Sequence, residues 1–126
     1  MGKHLAWLAV AGAAGTLCRY GLSGLVSRLA SEKFPWGTLA VNALGCFLFG
    51  VVWTIAAEDR MLISSETRTI LLVGFMGAFT TFSTFAFETG GMLRDSEWWP
   101  AAANLLAHNL LGLACIFLGF AVGRWL

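Results

Sequence analysis

Side chains able to do chemistry are concentrated between positions 74 and 88, inside an otherwise apolar segment. Hydroxyls and aromatic rings are interleaved there: Thr80, Thr81, Ser83 and Thr84 with Phe79, Phe82, Phe85 and Phe87. Hydroxyl groups left unsatisfied against hydrocarbon cost several kcal/mol each. Glycines at positions 74 and 77 allow the backbone to leave the helix and to aim its carbonyls at a ligand. The stretch therefore predicts a surface that is wet or that binds something small.

A small anion bound here would have to exchange its water for hydrogen-bond donors. Asn42 and Thr38 lie one helical turn apart in the preceding apolar segment and carry an amide and a hydroxyl. The positive ring edges of Phe82 and Phe85, three residues apart, are further candidates. Two other interpretations stay open. Asn42 could be a link between helices, worth about 1 kcal/mol, and the phenylalanine pair could be core packing.

A cation would use different groups of the same stretch. Unwound backbone around Gly77 can present carbonyl oxygens, and hard cations such as Na⁺ prefer oxygen ligands. The three cysteines match no metal motif. His108 has no second histidine at a ligating spacing, so the sequence does not predict a histidine metal site.

Other polar residues lie inside the apolar segments. Arg19 occupies the last third of the first one, where an arginine either snorkels to the interface or serves a water-filled entrance. Asn104 and His108 share a helical face too polar to meet lipid. That face is either a packed seam between helices or the lining of a pore. Glu88 lies near the end of the third segment.

Four apolar segments must position these residues. Of the 126 residues, 58% are hydrophobic and 12% are charged, and the mean hydropathy is +0.75. A soluble domain would have about twice that charged fraction. The composition predicts a single all-α integral membrane domain over residues 1–126, with spans at about 5–25, 37–57, 67–93 and 101–122. There is no basic cluster for nucleic acid, and no motif of a nucleotide-binding or metal-dependent enzyme.

The distribution of positive charge predicts no preferred orientation. Four spans place both termini on one side, with Lys3, Arg60, Arg68 and Arg124; the other side has Arg28, Lys33 and Arg94. Orientation follows an imbalance in Lys and Arg, and four against three is nearly none. A chain that inserts both ways can pair antiparallel. Four helices alone can hardly enclose a path across ~30 Å of hydrocarbon, so we expect an antiparallel homodimer.

Two motifs resemble the Fluc/CrcB family of fluoride channels. The first is the run Thr80-Thr81-Phe82-Ser83-Thr84-Phe85, with Gly77 before it and Glu88 after it. The second is the segment Gly37-Thr38-Leu39 leading to Asn42 and Gly45, and Arg19 also lies where that family has an arginine. The similarity extends over the whole chain, including its length and its four spans.

This resemblance implies a passive, selective exit route for F⁻ through a multi-pass protein of the bacterial inner membrane. It implies a dual-topology homodimer with two pores, each built from both subunits. Asn42 would line the pore as a donor, and Phe82 and Phe85 would flank the ion path. One central Na⁺ would be held by the backbone carbonyls of Gly77 and Thr80, at a break in the third helix.

The resemblance further implies a polar track formed by Ser83, Thr84 and His108, with Thr38 near the pore and Arg19 and Glu88 near its entrance. The main alternative is a small proton-coupled multidrug transporter, which shares the size and the four spans. Such a transporter needs a membrane-embedded carboxylate in its first helix, and the first segment here has no Asp or Glu. A purely structural subunit of a larger complex would not explain the hydroxyl- and ring-rich stretch.

Overall fold

The computed structural model describes residues 2–31, 33–57 and 63–126. Across these ranges four helical stretches are long and apolar enough to cross a membrane. They are α1 (Gly2–Leu29), α2 (Trp36–Ala57), a third stretch over Ser65–Arg94, and α5 (Trp98–Trp125). The prediction of an all-α, multi-pass membrane protein is confirmed. The helices extend up to a few residues beyond the predicted spans, except at residue 57, where α2 and the predicted second span both end. Arg60 lies outside the described residues.

The third stretch is interrupted, as predicted. Its first half, α3 (residues 65–79), begins as α-helix, is π-helical over Ile70–Met76 and ends with the α-helical turn Gly77–Phe79. Two extended residues follow, Thr80 (φ −82°, ψ 158°) and Thr81 (φ −151°, ψ 99°), and α4 then runs over Phe82–Arg94. The chain therefore crosses the membrane in two half-helices joined at a pair of threonines.

The glycines are not where the backbone leaves the helix, contrary to our expectation. Gly77 is helical, with φ −60° and ψ −32°. Both residues of the break have negative φ, which any L residue can adopt, and β-branched side chains such as threonine suit extended backbone. The break therefore requires hydrogen-bond partners for its backbone rather than the conformational freedom of glycine.

Helices α2 and α5 form the most extensive contact in the molecule. Glycines let their backbones approach closely: a Cβ at Gly50 would lie 2.5 Å from the Ile116 carbonyl oxygen, and one at Gly119 would meet the Phe47 carbonyl. Gly123 approaches Thr54 in the same way. The small-residue pair Gly119 and Gly123 thus packs within the chain, in the manner common to membrane helices.

Helix α1 packs against the π-helical part of α3 and against α2. Gly15 lies in the contact between α1 and α3, where a Cβ would collide with the Phe75 carbonyl oxygen and lie 3.2 Å from Phe79 N. This contact lies just before the break. The half-helix that ends at Phe79 is thus supported from one side by α1, while α2 contacts both halves of the third stretch.

Candidate ion pathway at the helix break

The side chain of Asn42, on α2, pairs with both backbone groups of Thr81. Its Nδ2 donates to the Thr81 carbonyl oxygen at 3.2 Å, and its Oδ1 accepts from Thr81 N at 2.8 Å. The amide therefore holds the extended segment onto α2, as the helix-linking interpretation expects. A side-chain amide has two N–H donors and an oxygen with two lone pairs. One N–H of Asn42 is left over, which is what the donor interpretation requires.

The hydroxyl of Thr81 caps the second half-helix. Oγ1 accepts from Thr84 N at 3.2 Å and donates to Thr84 Oγ1 at 2.7 Å. The Ser83 hydroxyl lies 3.5 Å from Thr81 Oγ1 and is the donor of this pair, because the Thr81 proton is given to Thr84. Threonine is among the residues preferred as N-caps because its oxygen satisfies an amide that has no helical partner. The residues Thr81-Phe82-Ser83-Thr84 thus start α4 through hydrogen bonds among themselves.

These two arrangements divert two amides from their helical acceptors. In an unbroken α-helix Thr81 N would donate to the Gly77 carbonyl, and Thr84 N would donate to the Thr80 carbonyl. Here Thr81 N donates to Asn42, and Thr84 N donates to the Thr81 hydroxyl. The carbonyl oxygens of Gly77 and Thr80 have thus lost the donors that an α-helix would supply.

A cavity of about 420 Å³ opens beside the break; we call it the Asn42 cavity. It is lined by residues of α2, the break, α4 and α5: Asn42, Gly45, Cys46, Phe49, Thr80, Thr81, Phe82, Phe85, His108, Asn109 and Ile116. The rings of Phe82 and Phe85 have centroids 5.5 Å apart, and that of Phe85 lies 4.3 Å from the His108 ring. Four residues predicted to line a pore therefore meet in one cavity: Asn42, Phe82, Phe85 and His108.

The two phenylalanines differ in burial. Phe85 is 7% exposed and packs against α5 through His108, whereas Phe82 is 78% exposed. The His108 ring lies with Nδ1 3.1 Å from the Asn104 carbonyl oxygen, which can only accept, so Nδ1 carries a proton. Nε2 is buried and has no partner among the described residues. In a neutral His108 that nitrogen is an acceptor, so His108 offers no ring N–H to an anion.

A second cavity, of about 440 Å³, also borders Thr81; we call it the Arg19 cavity. Its lining contains Thr16, Arg19, Tyr20, Ser23, Gly24, Thr38, Val41, Thr81 and Thr84. Three predicted site residues, Arg19, Thr38 and Thr84, are brought together there. Among the described residues, Thr81 is the one common to the linings of both cavities.

Glu88 connects to this region through Thr38. The Thr38 hydroxyl donates to Glu88 Oε1 at 2.7 Å, and Glu88 Oε2 is buried without a partner among the described residues. Glu88 also lines an open cleft of about 810 Å³ that contains Arg28 and Lys33. A chain of polar groups thus runs from this cleft, through Glu88 and Thr38, to the Arg19 cavity.

The polar face of α5 is a packed seam over part of its length. Asn104 is fully buried and its Nδ2 donates to the Thr89 hydroxyl at 2.9 Å, which in turn donates to the Phe85 carbonyl at 2.8 Å. His108, one turn further along, instead reaches the Asn42 cavity. The packed-seam interpretation therefore applies to Asn104, while the pore-lining interpretation of His108 stays a prediction.

Two predicted site residues lie apart from these cavities. Gly77 and Ser83 are exposed on the surface of the single chain, and neither lines any of the three cavities described above. Thr81, the residue at the centre, was missing from the predicted set. A usable signal was its residue type, because threonine is among the residues preferred as helix N-caps.

Comparison with known proteins places the chain in a family. Residues 6–120 match the family described as CrcB-like protein, Camphor Resistance (CrcB). The chain is 61% identical over 124 residues to a protein of Nitrosococcus oceani named fluoride-specific ion channel FluC, with 98% of each chain covered. It is 57% identical over 122 residues to the protein of that name from Solidesulfovibrio magneticus, with 97% of each chain covered. A third, from Desulforapulum autotrophicum, is 49% identical over 98% of each chain.

Proposed function

Because the chain belongs to the CrcB family, we propose that it is a fluoride channel that lets F⁻ leave the cell passively. The relatives are named as fluoride-specific ion channels, so the family is not one of enzymes. The observation that carries the proposal is the Asn42 cavity. It combines a spare amide N–H, two phenylalanine rings and the start of a helix.

The groups in this cavity suit an anion that must enter and then leave. The first amides of a helix have no helical acceptor and carry partial positive charge, which favours an anion near the start of α4. The N–H of Asn42 that is not used by Thr81 adds a donor, and the edges of the phenylalanine rings are weakly positive. The described residues that line the Asn42 cavity include no lysine or arginine, so F⁻ would be held weakly enough to move on.

We further propose that two copies associate as an antiparallel homodimer. Ser83 and the backbone at Gly77 are exposed on one chain, and Phe82 projects from it. Polar backbone and hydroxyl groups at membrane depth must be covered by protein or line a wet cavity. A second copy packed on the break would cover Gly77 and Ser83. It would also close the Asn42 cavity, which is open in the single chain.

A central Na⁺ belongs to the same proposal. The carbonyl oxygens of Gly77 and Thr80 are freed from helical hydrogen bonds by the diverted amides. Hard cations prefer oxygen ligands, and unwound backbone at the end of a half-helix supplies them in membrane proteins. The residues therefore fit a Na⁺ ion, which would join the two copies at their breaks.

Passive efflux has a physical rationale in the inner membrane of a bacterium. HF is uncharged and crosses lipid, dissociates in a near-neutral cytoplasm and is trapped there as F⁻. A membrane potential negative inside drives an anion outward. The alternative of a proton-coupled multidrug transporter is not favoured, because α1 has no carboxylate and the relatives are named as fluoride channels.

The test is anion efflux from liposomes that contain the purified protein, read with a fluoride electrode, with Cl⁻ efflux measured in parallel. We expect fast F⁻ release without an energy source and Cl⁻ release no faster than from empty liposomes. Protein that is folded and dimeric by size-exclusion chromatography but releases no F⁻ would contradict the proposal. Equal release of both anions would contradict its selectivity.

A further inference from the structure

We propose that Asn42 and the Thr81 hydroxyl are positioning residues for the central Na⁺ site. Each keeps one of the two carbonyl ligands free of its helical donor. Asn42 would then serve two ions, the anion through its spare N–H and the cation through its control of the Gly77 carbonyl. This inference rests on the proposed function, because it concerns the Na⁺ site of the proposed channel.

The first step concerns Asn42 and Gly77. In an α-helix the Gly77 carbonyl would accept from Thr81 N, four residues later. That amide instead donates to Asn42 Oδ1 at 2.8 Å. The 3.2 Å bond from Asn42 Nδ2 to the Thr81 carbonyl holds the same peptide from its other end. Without an acceptor at position 42, Thr81 N would be free to return to the Gly77 carbonyl and continue α3 by one more residue.

The second step concerns Thr81 and Thr80. The 3.2 Å bond from Thr84 N to Thr81 Oγ1 keeps that amide away from the Thr80 carbonyl. The Thr80 hydroxyl is directed back along α3, where it donates to the Met76 carbonyl at 3.1 Å. Removal of the Thr81 hydroxyl would let Thr84 N turn to the Thr80 carbonyl, so that α4 would extend towards α3.

The third step concerns α2, which supports both residues of the break. Gly45 lies three positions after Asn42, and a Cβ there would collide with the Thr80 side chain. Thr80 therefore lies directly on the α2 backbone, while Asn42 holds Thr81. The surface of α2 around Asn42 and Gly45 thus holds both residues of the break, Thr80 and Thr81. Partners that orient metal ligands in this way typically change metal affinity about 10- to 100-fold when mutated.

The experiment measures Na⁺ affinity rather than transport. The thermal unfolding midpoint of the full-length dimer in detergent is followed as Na⁺ replaces N-methyl-D-glucamine at constant ionic strength. For wild type we expect a saturable rise in this midpoint, since a ligand that binds only the folded state stabilises it. For Asn42→Ala and Thr81→Val we expect half-saturation at about 10- to 100-fold higher Na⁺.

Conservative variants separate positioning from general stability. Thr81→Ser keeps the capping hydroxyl, so it should retain the wild-type Na⁺ midpoint. Asn42→Asp keeps an oxygen that accepts from Thr81 N and adds a negative charge that attracts a cation, so it should bind Na⁺ at least as tightly as wild type, although we expect it to block F⁻. The matched control is Asn104→Ala, which removes a buried amide that bonds to Thr89 rather than to the break and should lower thermal stability without changing the Na⁺ midpoint.

Two outcomes would overturn the inference. One is a wild-type Na⁺ midpoint in both Asn42→Ala and Thr81→Val, which would make these residues ordinary structural contacts. If Asn42→Ala does not fold, the Thr81→Val and Thr81→Ser pair decides. The other is a wild-type protein whose stability does not respond to Na⁺ at all. Fast F⁻ efflux from that same protein would leave the channel proposal standing, so the two failures are distinguishable.

Discussion

Helix α2 has two interfaces of opposite character. Around Asn42 and Gly45 it meets the broken third stretch, and side-chain hydrogen bonds hold extended backbone in place. Around Gly50 it meets α5, and the contact is backbone against backbone through glycines. The first interface leaves polar groups free beside a cavity, whereas the second leaves no space. We infer that the first positions ions and that the second supplies stability.

The largest effect is expected at the polar interface, from Asn42→Asp. A fixed negative charge about 4 Å from F⁻ costs about 4 kcal/mol at an effective dielectric constant near 20, which corresponds to about a 1000-fold loss of flux. F⁻ efflux from liposomes measures this loss of flux. Asn109→Asp places the same charge at an exposed edge of the cavity and shows whether a negative charge anywhere in the cavity blocks F⁻. Unchanged flux in Asn42→Asp would reduce Asn42 to a link between helices.

The glycine interface should respond in stability instead. A Cβ in Gly119→Ala would meet the Phe47 carbonyl and lie 3.0 Å from Val51 N, both backbone groups that cannot rotate away. Overpacking of this kind costs about 1–3 kcal/mol. Thermal unfolding of the dimer measures it, while F⁻ flux per folded channel should stay at the wild-type level.

Its matched control is Gly90→Ala, where a Cβ would have no atom within 4 Å in the chain. That change should be neutral or slightly stabilising, because alanine favours helix over glycine by up to about 1 kcal/mol. Equal destabilisation by both variants would show that close packing of α2 on α5 is not the cause. The contrast between the two interfaces would then fail.

A smaller effect on flux is expected from the rings of the Asn42 cavity. Phe82→Ile and Phe85→Ile each remove one ring edge and should lower F⁻ efflux about five-fold, since specific aromatic contacts are worth about 1 kcal/mol. Phe87→Ile, an exposed ring that does not line the cavity, is the control and should transport normally. Normal transport in both cavity variants would mean that Phe82 and Phe85 serve only as packing residues.

The smallest effect is expected from Asn104→Ala, which tests whether a buried asparagine on α5 behaves like Asn42. It removes the bond to Thr89 and also removes Oδ1, a buried oxygen without a partner among the described residues. Interhelical hydrogen bonds in membranes average about 0.6 kcal/mol, so the loss of stability should stay near 1 kcal/mol. F⁻ flux should be unchanged; a large loss of flux would extend the ion path into this seam.

Much of the fold was predictable because membrane insertion depends on local composition. Four apolar runs of sufficient length predict four helices, and hydroxyl-rich sequence within one of them predicts an interruption. The position of that interruption was predicted only approximately. Gly77 looked like the point of departure, but it is helical, and Thr80 and Thr81 form the break instead. Glycine permits a break, whereas a hydrogen-bond acceptor elsewhere in the chain determines where it forms.

The sequence by itself determined that this protein spans a membrane, that its third helix is unusual and which side chains offer hydrogen-bond donors or ring edges. Only the tertiary structure decided that Asn42 pairs with Thr81, 39 residues away, and that Thr81 lines two cavities. The physical reason is that the docking of two helices determines which acceptor lies within hydrogen-bond distance of a given amide. Composition records which donors and acceptors a chain carries, but the docking of α2 against the break decides which carbonyls stay free.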